Sequence, residues 1–411
     1  MTLFIPSDEK EAAEIIRAAT AEGAPLKIVG GGSKTSLGRH APAQRAVSTR
    51  ALNGVTLYEP EELVLSARAG TPLAEIEALL DANGQRLAFE PFDYAALLGE
   101  AGAATDRWRS IATARSLGGI VAVNASGPRR IKAGAARDHL LGFRCVTGRG
   151  DIVKSGGRVM KNVTGYDLSK LVAGSFGTLA LLTEATLKVL PRAETEQTLL
   201  VLGLDEEASL AVLRRASGAP CEVSSFAMLP AGATPLRLTQ NAAALRLEGP
   251  QISVTARRDD LASRLATAAS RFETLPDAQS RAFWRDMRCA APIADGAGQV
   301  WRASVAPTDG YALVEGVRRR GVPLLAHCYD WAGGLVWLRL AEAADAYAGA
   351  LRAIVDRLGG HATLIRADAD VRSRVDVFHP QPAALAALSR RVKESFDPAH
   401  ILERGRMRAE F

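Results

Sequence analysis

The sequence predicts an α+β protein of two domains, divided near residue 192. A chain of 411 residues exceeds what one hydrophobic core usually organises. Its first half contains a Gly-rich stretch over residues 89–134, and its second half alternates helices with short strands joined by turns. We therefore expect one domain over residues 1–192, followed over residues 193–411 by an α+β domain whose sheet is mostly antiparallel.

The first half begins with the pattern of a helix followed by a strand. Ser7 can cap the helix, whose apolar face includes Ala12, and residues 26–29 form a short strand that leads into three glycines. A second helix is indicated by Thr71 at its N-cap and Pro72 at its first position. Further strands are expected at residues 142–146, 152–153 and 178–190.

The second half shows signals for both kinds of element. Asp205 can cap an amphipathic helix, and residues 332–334 form the turn of a hairpin. The strands are expected at residues 198–204, 221–229, 244–247, 252–256, 324–329 and 335–340, and the other helices near residues 342–358 and 382–395.

The net charge and the cysteine pattern limit the classes of ligand and partner that the chain is expected to bind. A net charge of +6 suits a nucleic acid, an acidic partner or an anionic ligand, but the arginine richness of the whole chain explains it equally well. Because no base-stacking aromatic residues accompany the basic ones, we expect no nucleic-acid partner. The four cysteines are scattered without a Cys-x-x-Cys pair, which predicts no metal site, no iron–sulfur cluster in this chain, and a reducing compartment.

The sequence shows no targeting or membrane segment. Its N-terminus turns acidic at Asp8 and Glu9, before the apolar core of a signal peptide can develop. No apolar run approaches the roughly 18 residues that a membrane-spanning helix needs. We expect a cytoplasmic protein that contacts a membrane only through partners, peripherally on the inner face of the cytoplasmic membrane.

The first candidate ligand-binding segment runs from Gly30 to Gly38. Consecutive glycines after a strand let the backbone turn tightly and direct several N–H groups at one point, which favours an anion. A P-loop would need Gly where Ser33 stands, and a Rossmann fingerprint would need Gly at Thr35. A surface turn without a ligand is the alternative for this segment alone.

Two further segments are rich in glycine. Residues 112–127 interleave small residues with hydroxyls and one amide, which permits close backbone approach to a flat ligand. A tightly packed helix is the alternative, although two adjacent glycines weaken a helix. Residues 174–179 form another turn able to present N–H groups. Three such loops in one domain, without a metal-binding pattern, point to a large phosphate-bearing cofactor.

Together these segments resemble the FAD-binding family that includes vanillyl-alcohol oxidase and para-cresol methylhydroxylase. Within it, the chain is most similar over nearly its whole length to the FAD-binding subunits of bacterial three-subunit glycolate oxidases. The matching motifs are residues 26–38, Phe89-Glu90-Pro91, Ser116-Leu117-Gly118-Gly119, Asn124-Ala125-Ser126-Gly127, residues 137–142, residues 161–171, residues 183–186, Phe396-Asp397-Pro398 and Gly405-Arg406-Met407.

The resemblance implies a two-subdomain FAD-binding domain of the para-cresol methylhydroxylase type over residues 1–192. A smaller α+β cap domain would follow over residues 193–411, with the last residues returning to the FAD domain. It implies FAD held non-covalently, since neither His40 nor His139 stands in an attachment context.

The resemblance also implies a set of cofactor-binding residues. Lys161 and Tyr166 are further candidates to face the flavin, and Arg129, with Arg130 and Lys132, lies either beside phosphate or on a solvated basic face. The cofactor-binding residues are Gly30, Gly31, Gly32, Ser33, Lys34, Thr35, Ser36, Pro91, Thr113, Ser116, Gly118, Gly119, Asn124, Ser126, Gly127, Arg129, Gly174, Ser175, Gly177, Thr178, Leu179 and Leu182.

The second half lacks the histidine motifs of the family's catalytic 2-hydroxy-acid dehydrogenases, namely His-x-Gly-Asp-Gly-Asn-x-His and Gly-Glu-His-Gly. No general base can therefore be nominated. The resemblance implies a FAD-binding subunit of a membrane-associated glycolate dehydrogenase complex, which supports electron transfer beside a homologous catalytic FAD subunit and an iron–sulfur subunit. The alternatives are a self-sufficient FAD-linked oxidase or dehydrogenase of another alcohol or hydroxy acid, and a scaffold without flavin.

Overall fold

The computed structural model describes residues 2–98, 115–157, 165–267 and 271–410. Within them the strands are β1 (Thr2–Phe4), β2 (Leu26–Val29), β3 (Arg45–Ser48), β4 (Val55–Glu59), β5 (Val64–Arg68), β6 (Gln85–Arg86), β7 (Leu140–Thr147), β8 (Ile152–Gly156), β9 (Ala180–Lys188), β10 (Leu190–Pro191), β11 (Thr195–Leu202), β12 (Ser225–Leu229), β13 (Ala242–Gly249), β14 (Arg271–Leu275), β15 (Gln299–Ser304), β16 (Leu324–Asp330), β17 (Leu335–Leu340) and β18 (His361–Arg366). The helices are α1 (Glu9–Ala21), α2 (Leu73–Ala82), α3 (Ala95–Leu98), α4 (Leu117–Ala122), α5 (Arg130–Ala133), α6 (Ala136–His139), α7 (Leu168–Val172), α8 (Glu206–Ser217), α9 (Gln251–Leu265), α10 (Asp277–Met287), α11 (Ala291–Ala294), α12 (Gly310–Arg319), α13 (Ala348–Arg357), α14 (Ala369–Arg374) and α15 (Ala383–Phe396). Short 3₁₀ helices span Thr49–Ala51 and Trp331–Gly333.

An antiparallel five-stranded sheet forms the centre of the first half. Its strand order is β4-β5-β9-β7-β8. The central strand β9 is buried along nearly its whole length, which explains why its sequence is a continuous apolar run. Helix α1 packs against β7 and α4 against β9, so the sheet fixes the helix that lies within the second glycine-rich segment.

A three-stranded parallel sheet, in the order β1-β3-β2, carries the first glycine-rich loop. The chain's C-terminal end lies against this sheet, because Leu402 forms a bridge with Leu26. The buried Lys393 ammonium donates to the Asp397 carboxylate and to the Thr178 carbonyl, each at 2.6 Å. These contacts bring the last residues of the chain beside the loops of the first half.

Two predicted helices begin with caps different from those expected. The N-cap of α1 is Asp8, whose carboxylate accepts two backbone N–H groups, while the Ser7 hydroxyl donates to Glu11. A carboxylate is favoured there because it also complements the positive end of the helix dipole. At α2 the N-cap position is held by Pro72, and the Thr71 hydroxyl instead donates to a backbone carbonyl of the preceding turn.

An antiparallel eight-stranded sheet organises the second half, in the order β14-β11-β13-β12-β16-β17-β15-β18. All strand pairs described in it are antiparallel, as predicted. The predicted hairpin of β16 and β17 is confirmed, with the 3₁₀ helix Trp331–Gly333 at its turn. Asp205 caps α8 as expected, since its carboxylate accepts the Ala208 N–H at 2.8 Å.

The predicted strand at residues 252–256 is wrong, because this segment is part of α9. Val254, Leu261 and Leu265 bury one face of that helix, and Pro250 precedes its first turn. A short apolar run cannot distinguish a strand from a helix by periodicity alone. The helical spacing becomes visible only when the two leucines farther along the chain are included.

A buried group of six charged residues, here called the interface cluster, connects the two halves. Its members are Arg86, Glu90 and Arg129 from the first half and Glu196, Arg246 and Glu248 from the second. The Arg246 guanidinium donates to Glu196 at 2.7 Å and to Glu90 at 3.1 Å, and Arg129 donates to Glu248 at 3.0 Å. Equal numbers of positive and negative groups keep this buried cluster neutral.

Several features concern the described residues as a whole. No helix among them is long and apolar enough to cross a lipid bilayer. Those residues also contain no group of three or more His, Cys, Asp or Glu side chains that could hold a metal ion. All four cysteines are free thiols, and only Cys289 is partly accessible.

Candidate cofactor site

The three glycine-rich segments meet at a cavity in the first half. The predicted residues that line it are Gly30, Gly31, Gly32, Ser33, Lys34, Thr35, Ser116, Gly118, Gly119, Ser175, Gly177 and Leu182.

The first loop presents unpaired backbone donors to this cavity. Among the described residues, the N–H groups of Gly32, Ser33 and Lys34 find no acceptor. The neighbouring Gly31 N–H donates to the Ser116 hydroxyl at 3.1 Å. An array of consecutive free N–H groups is the arrangement that binds an anion such as a phosphate.

Ser116 joins the first loop to the second. Its side chain is the N-cap of α4 and accepts the Gly119 N–H at 3.4 Å as well as the Gly31 N–H. A Cβ atom on Gly30 would lie 2.3 Å from the Ser116 oxygen, and a Cβ atom on Gly118 would lie 2.8 Å from the Ala69 methyl group. Gly30 is therefore required by the close approach of the two loops, and Gly118 by the close approach of the second loop to Ala69 after β5.

Lys34 supplies a positive charge at the same loop. Its side chain is only 8% exposed, and its ammonium group donates to the Ser33 hydroxyl at 3.2 Å. Burial lowers the pKa of Lys34 to about 8; Asp93 opposes this change, whereas Arg115 and Arg406 add to it. A buried ammonium without a carboxylate at contact distance is stabilised by any anion that enters the cavity.

Arg406 lines the cavity although it was not among the predicted site residues. Its guanidinium donates to the carbonyls of Lys34 at 2.9 Å and Leu37 at 3.2 Å, and to the Glu403 carboxylate at 2.8 Å. It thereby fixes the backbone of the first loop. The match of Gly405-Arg406-Met407 to a closing motif was the available signal, but it did not indicate contact with a loop so distant in sequence.

The remaining walls of the cavity are largely apolar. The other lining residues are Ile28, Val29, Thr49, Ala69, Ala122, Val123, Phe176 and Ala180. Gly177 adopts a φ of 79°, which lets the third loop turn beside Phe176. A site with free N–H groups at one end and apolar walls elsewhere suits a ligand that combines phosphate with flat rings.

Other predicted residues lie outside the lining. Asn124 and Ser126 accept backbone N–H groups near the start of α6, and the Thr178 hydroxyl donates to the Ser175 carbonyl at 2.7 Å. Gly127 contacts the Glu90 backbone, where a Cβ atom would lie 2.4 Å from the carbonyl oxygen. The structure also places Ser36, Pro91, Gly174 and Leu179 away from the cavity lining.

Four further predicted residues do not line the cavity in the described structure. Arg129 is held in the interface cluster by Glu90 and Glu248, so it does not line the cavity. Tyr166 is 94% exposed. Thr113 and Lys161 lie outside the described residues.

Comparisons with known proteins agree with this geometry. The sequence matches the family described as "FAD binding domain" over residues 2–104 and 95–156. It is 35% identical to "Glycolate oxidase subunit GlcE" of Escherichia coli (strain K12), over 97% of this chain and 96% of that protein. It is 45% identical to "Glycolate oxidase subunit GlcD" of Bacillus subtilis (strain 168) over a shorter segment, 21% of this chain and 18% of that protein.

Solved structures share the fold. The 4-ethylphenol oxidase from Gulosibacter chungangensis aligns with 99% of this chain and 89% of its own, with a TM-score of 0.71 and 13% identity. An alkyldihydroxyacetonephosphate synthase aligns with 97% of this chain and 76% of its own, with a TM-score of 0.66 and 17% identity. Because of its identity with GlcE over nearly the whole of both chains, this chain belongs to the family of the glycolate oxidase subunit GlcE, among FAD-linked oxidoreductases of the vanillyl-alcohol oxidase and para-cresol methylhydroxylase fold.

Proposed function

We propose that the cavity holds FAD with its pyrophosphate against the first loop. The observation that carries this proposal is the set of three unpaired N–H groups, on Gly32, Ser33 and Lys34, beside a buried ammonium group. A pyrophosphate supplies the acceptors and the negative charge that these groups lack. The apolar wall around Ala122 and Phe176 offers a surface for the flat rings.

The proposed roles of the loops differ. The first loop, residues 30–35, binds the pyrophosphate, and Ser116, Gly118 and Gly119 border it from the second loop. Within the second loop, Asn124, Ser126 and Gly127 anchor its end by hydrogen bonds to neighbouring segments. Ser175, Gly177 and Leu182 border the ring portions. Bound FAD supplies a two-electron acceptor, and these residues orient it and exclude water from it.

Non-covalent binding is the second part of the proposal. Covalent attachment requires a reactive side chain such as His, Cys or Tyr, and the described residues that line the cavity include none of these. His139 is turned away, because its Nε2 pairs with the Ala133 carbonyl at 2.8 Å and its ring packs against Phe89.

For the chain as a whole, we infer a FAD-binding subunit of a glycolate-oxidising complex. Its partners in this proposal are a homologous catalytic FAD subunit and an iron–sulfur subunit, through which alone it reaches a membrane. The likeness to GlcE over nearly the whole chain supports this assignment. The scattered cysteines of this chain are consistent with cluster ligands on another subunit.

The experiment that tests this proposal is an absorption spectrum of the purified chain, repeated on its acid-precipitated supernatant and after addition of glycolate. We expect flavin that acid releases and that stays oxidised in the presence of glycolate. Flavin retained in the precipitate would contradict non-covalent binding. Flavin bleached by glycolate would make the chain a self-sufficient dehydrogenase, and failure to reconstitute with free FAD would contradict the cavity assignment.

Lys34 gives a prediction about pH. Because its pKa in the empty cavity is about 8, it loses its proton above that pH and no longer attracts the pyrophosphate. We expect the affinity for FAD to fall by up to about tenfold per pH unit above pH 8. Titration of the apoprotein with FAD, followed by flavin fluorescence at fixed ionic strength, measures this slope.

The Lys34→Met variant is the control. It should bind FAD more weakly than the parent chain, and its affinity should not fall as the pH rises above 8.

The pH dependence of stability should have the opposite sign to that of FAD affinity: in the flavin-free parent chain, the free energy of unfolding should rise with pH. In the folded chain the pKa of Lys34 is about 8, below its ordinary value of 10.5. Between pH 8 and pH 10.5 the unfolded chain therefore binds more protons than the folded chain. The free energy of unfolding therefore rises with pH in that window. If Lys34→Met still loses FAD affinity with rising pH, a titratable group other than Lys34 causes that loss.

A further inference from the structure

The first two turns of helix α15 are apolar but are not covered by the rest of the chain. Residues 383–388 have the sequence Ala-Ala-Leu-Ala-Ala-Leu and are all exposed; Leu385 is 47% exposed and Leu388 is 52% exposed. The structure describes every residue of α15, and Lys393 is the only one of them that is buried. A helix that is apolar on all sides is normally buried in a protein core. These two turns therefore have the character of a segment that another molecule covers.

The two leucines belong to an apolar stripe that continues along α15. Leu385, Leu388, Val392 and Phe396 are separated by three, four and four residues, so their side chains lie on one face of the helix. Val392 and Phe396 are half-buried, whereas Leu385 and Leu388 are exposed. The fold therefore covers one end of this stripe and leaves the other end open.

The covered end of α15 is attached to the third loop of the cofactor site. The Lys393 ammonium donates to the Thr178 carbonyl at 2.6 Å and to the Leu402 carbonyl at 3.0 Å. Thr178 directly follows Gly177, which lines the cavity. A molecule bound to the exposed turns would therefore contact the helix that holds the third loop.

Unpaired positive charge flanks the exposed turns. Arg390 and Arg391 are exposed, and within the part of the chain that the structure describes neither side chain forms a hydrogen bond or an ion pair. Arg404, just beyond the helix, donates only to the carbonyls of residues 399 and 400. Glu394 is the single acidic residue of α15, and the whole chain has a net charge of +6. A molecule that covers this helix is favoured if its own surface is acidic.

Size, shape and charge argue against a second copy of this chain as the covering molecule. A stable interface buries about 800 Å² on each partner, which exceeds what two helical turns can supply. Two copies that met at α15 would also bring Arg390 and Arg391 close to the same arginines of the other copy. Because six consecutive residues cover the full circumference of a helix, a concave surface covers residues 383–388 better than a second helix does. These observations favour a groove on a different polypeptide.

We propose that the first two turns of α15 dock into an apolar groove, rimmed by carboxylates, on a partner subunit of the glycolate-oxidising complex. Leu385 and Leu388 are the apolar anchors in this groove. Arg390 and Arg391 pair with the carboxylates of its rim. The identity of the partner rests on the proposed function, whereas the need for a covering surface rests on the exposed apolar turns alone.

The test is titration of the FAD-loaded full chain with the other two subunits of its complex, with assembly followed by gel filtration. The double variant Leu385→Glu and Leu388→Glu should weaken assembly by about a hundredfold. The double variant Arg390→Glu and Arg391→Glu should weaken it by about tenfold, and assembly should then no longer weaken with added salt. The control is Ile252→Glu, which replaces an 87% exposed apolar residue on α9 and should leave assembly unchanged.

Circular dichroism and flavin content show whether each variant is folded. We expect both to match the parent chain, because the replaced leucines are exposed and a carboxylate near the start of a helix is favourable. If the leucine variant is folded and assembles as the parent chain does, the docking surface is wrong and the proposed function stands. If the parent chain does not assemble with these subunits, the proposed complex fails and this docking surface fails with it.

Two further measurements examine the other molecules that could cover α15. Sedimentation velocity of the chain alone should show a monomer, and the chain should not bind vesicles of phosphatidylglycerol and phosphatidylcholine. A dimer that the leucine variant abolishes would mean that a second copy covers the helix. Vesicle binding that the leucine variant abolishes would mean that a membrane does. Either result would overturn the proposed groove.

Discussion

The Gly31→Asp variant should be purified as a folded protein that retains no FAD. Gly31 lies in the cavity lining, next to the three unpaired N–H groups, and its own N–H reaches Ser116. A carboxylate there would occupy these donors and repel the pyrophosphate. Two unit charges 4 Å apart near a protein surface repel by about 4 kcal/mol, which corresponds to roughly a thousandfold loss of affinity.

The matched control is Gly31→Asn, which has the same size without the charge. The φ of Gly31 does not lie in the left-handed region, unlike the 74° of Gly32, so its backbone conformation admits a side chain. We expect Gly31→Asn to bind FAD more weakly than the parent chain but far more tightly than Gly31→Asp. Flavin content after gel filtration measures the difference. Equal loss in both variants would assign the effect to size, and full flavin content in Gly31→Asp would show that the phosphate lies elsewhere.

The sequence was sufficient to predict the local features of this site. Consecutive glycines after β2 predicted a loop with N–H groups directed to one point, and the free N–H groups of residues 32–34 agree with that interpretation. Ser116 was predicted beside them and lies there. In the second half, a carboxylate before an acidic turn predicted the cap of α8, and a glycine pair between apolar runs predicted the hairpin of β16 and β17.

What the sequence could not provide was the pairing of distant charges. Arg129 belongs to a basic stretch, and only the fold shows that Glu248 neutralises it instead of leaving it for phosphate. Arg406 stabilises the first loop from the end of the chain, through the Lys34 carbonyl. Trp331, in the turn between β16 and β17, and Arg302 on β15 are far apart in sequence, and only the fold brings the guanidinium group to 5.0 Å from the centroid of the ring. Each of these contacts depends on tertiary structure, which cannot be inferred from the spacing of residues along the sequence.

The interface cluster connects the cofactor site to the second half of the chain. Glu90 belongs to the segment that supports the second loop, since Gly127 donates its N–H to the Phe89 carbonyl at 3.1 Å. Glu90 in turn accepts hydrogen bonds from Arg246 on β13. The position of the second loop therefore depends on a buried arginine of the other half.

Replacing that arginine should produce the largest loss of stability among single substitutions in the cluster. Arg246→Met would leave Glu90, Glu196 and Glu248 with too little positive charge in a buried site. Although burial acts in the opposite direction, Arg246, Arg129 and Arg86 together hold the pKa of Glu248 well below its ordinary 4.5. Removing one partner of a buried ion pair typically costs about 3–5 kcal/mol, and we expect a decrease of that size in the free energy of unfolding.

Urea denaturation followed by tryptophan fluorescence measures this decrease, and its pH dependence identifies the cause. In the parent chain the depressed pKa of Glu248 contributes stability that is lost as the pH falls. In Arg246→Met an uncompensated carboxylate has a raised pKa, so acid relieves the penalty and the deficit should be smaller at pH 5 than at pH 8. The control Arg264→Met breaks an exposed pair with Asp260, which solvent screens, and should leave the free energy of unfolding nearly unchanged. A deficit that is small, or that does not shrink in acid, would mean that Arg246 acts through packing against Trp284 and not through charge.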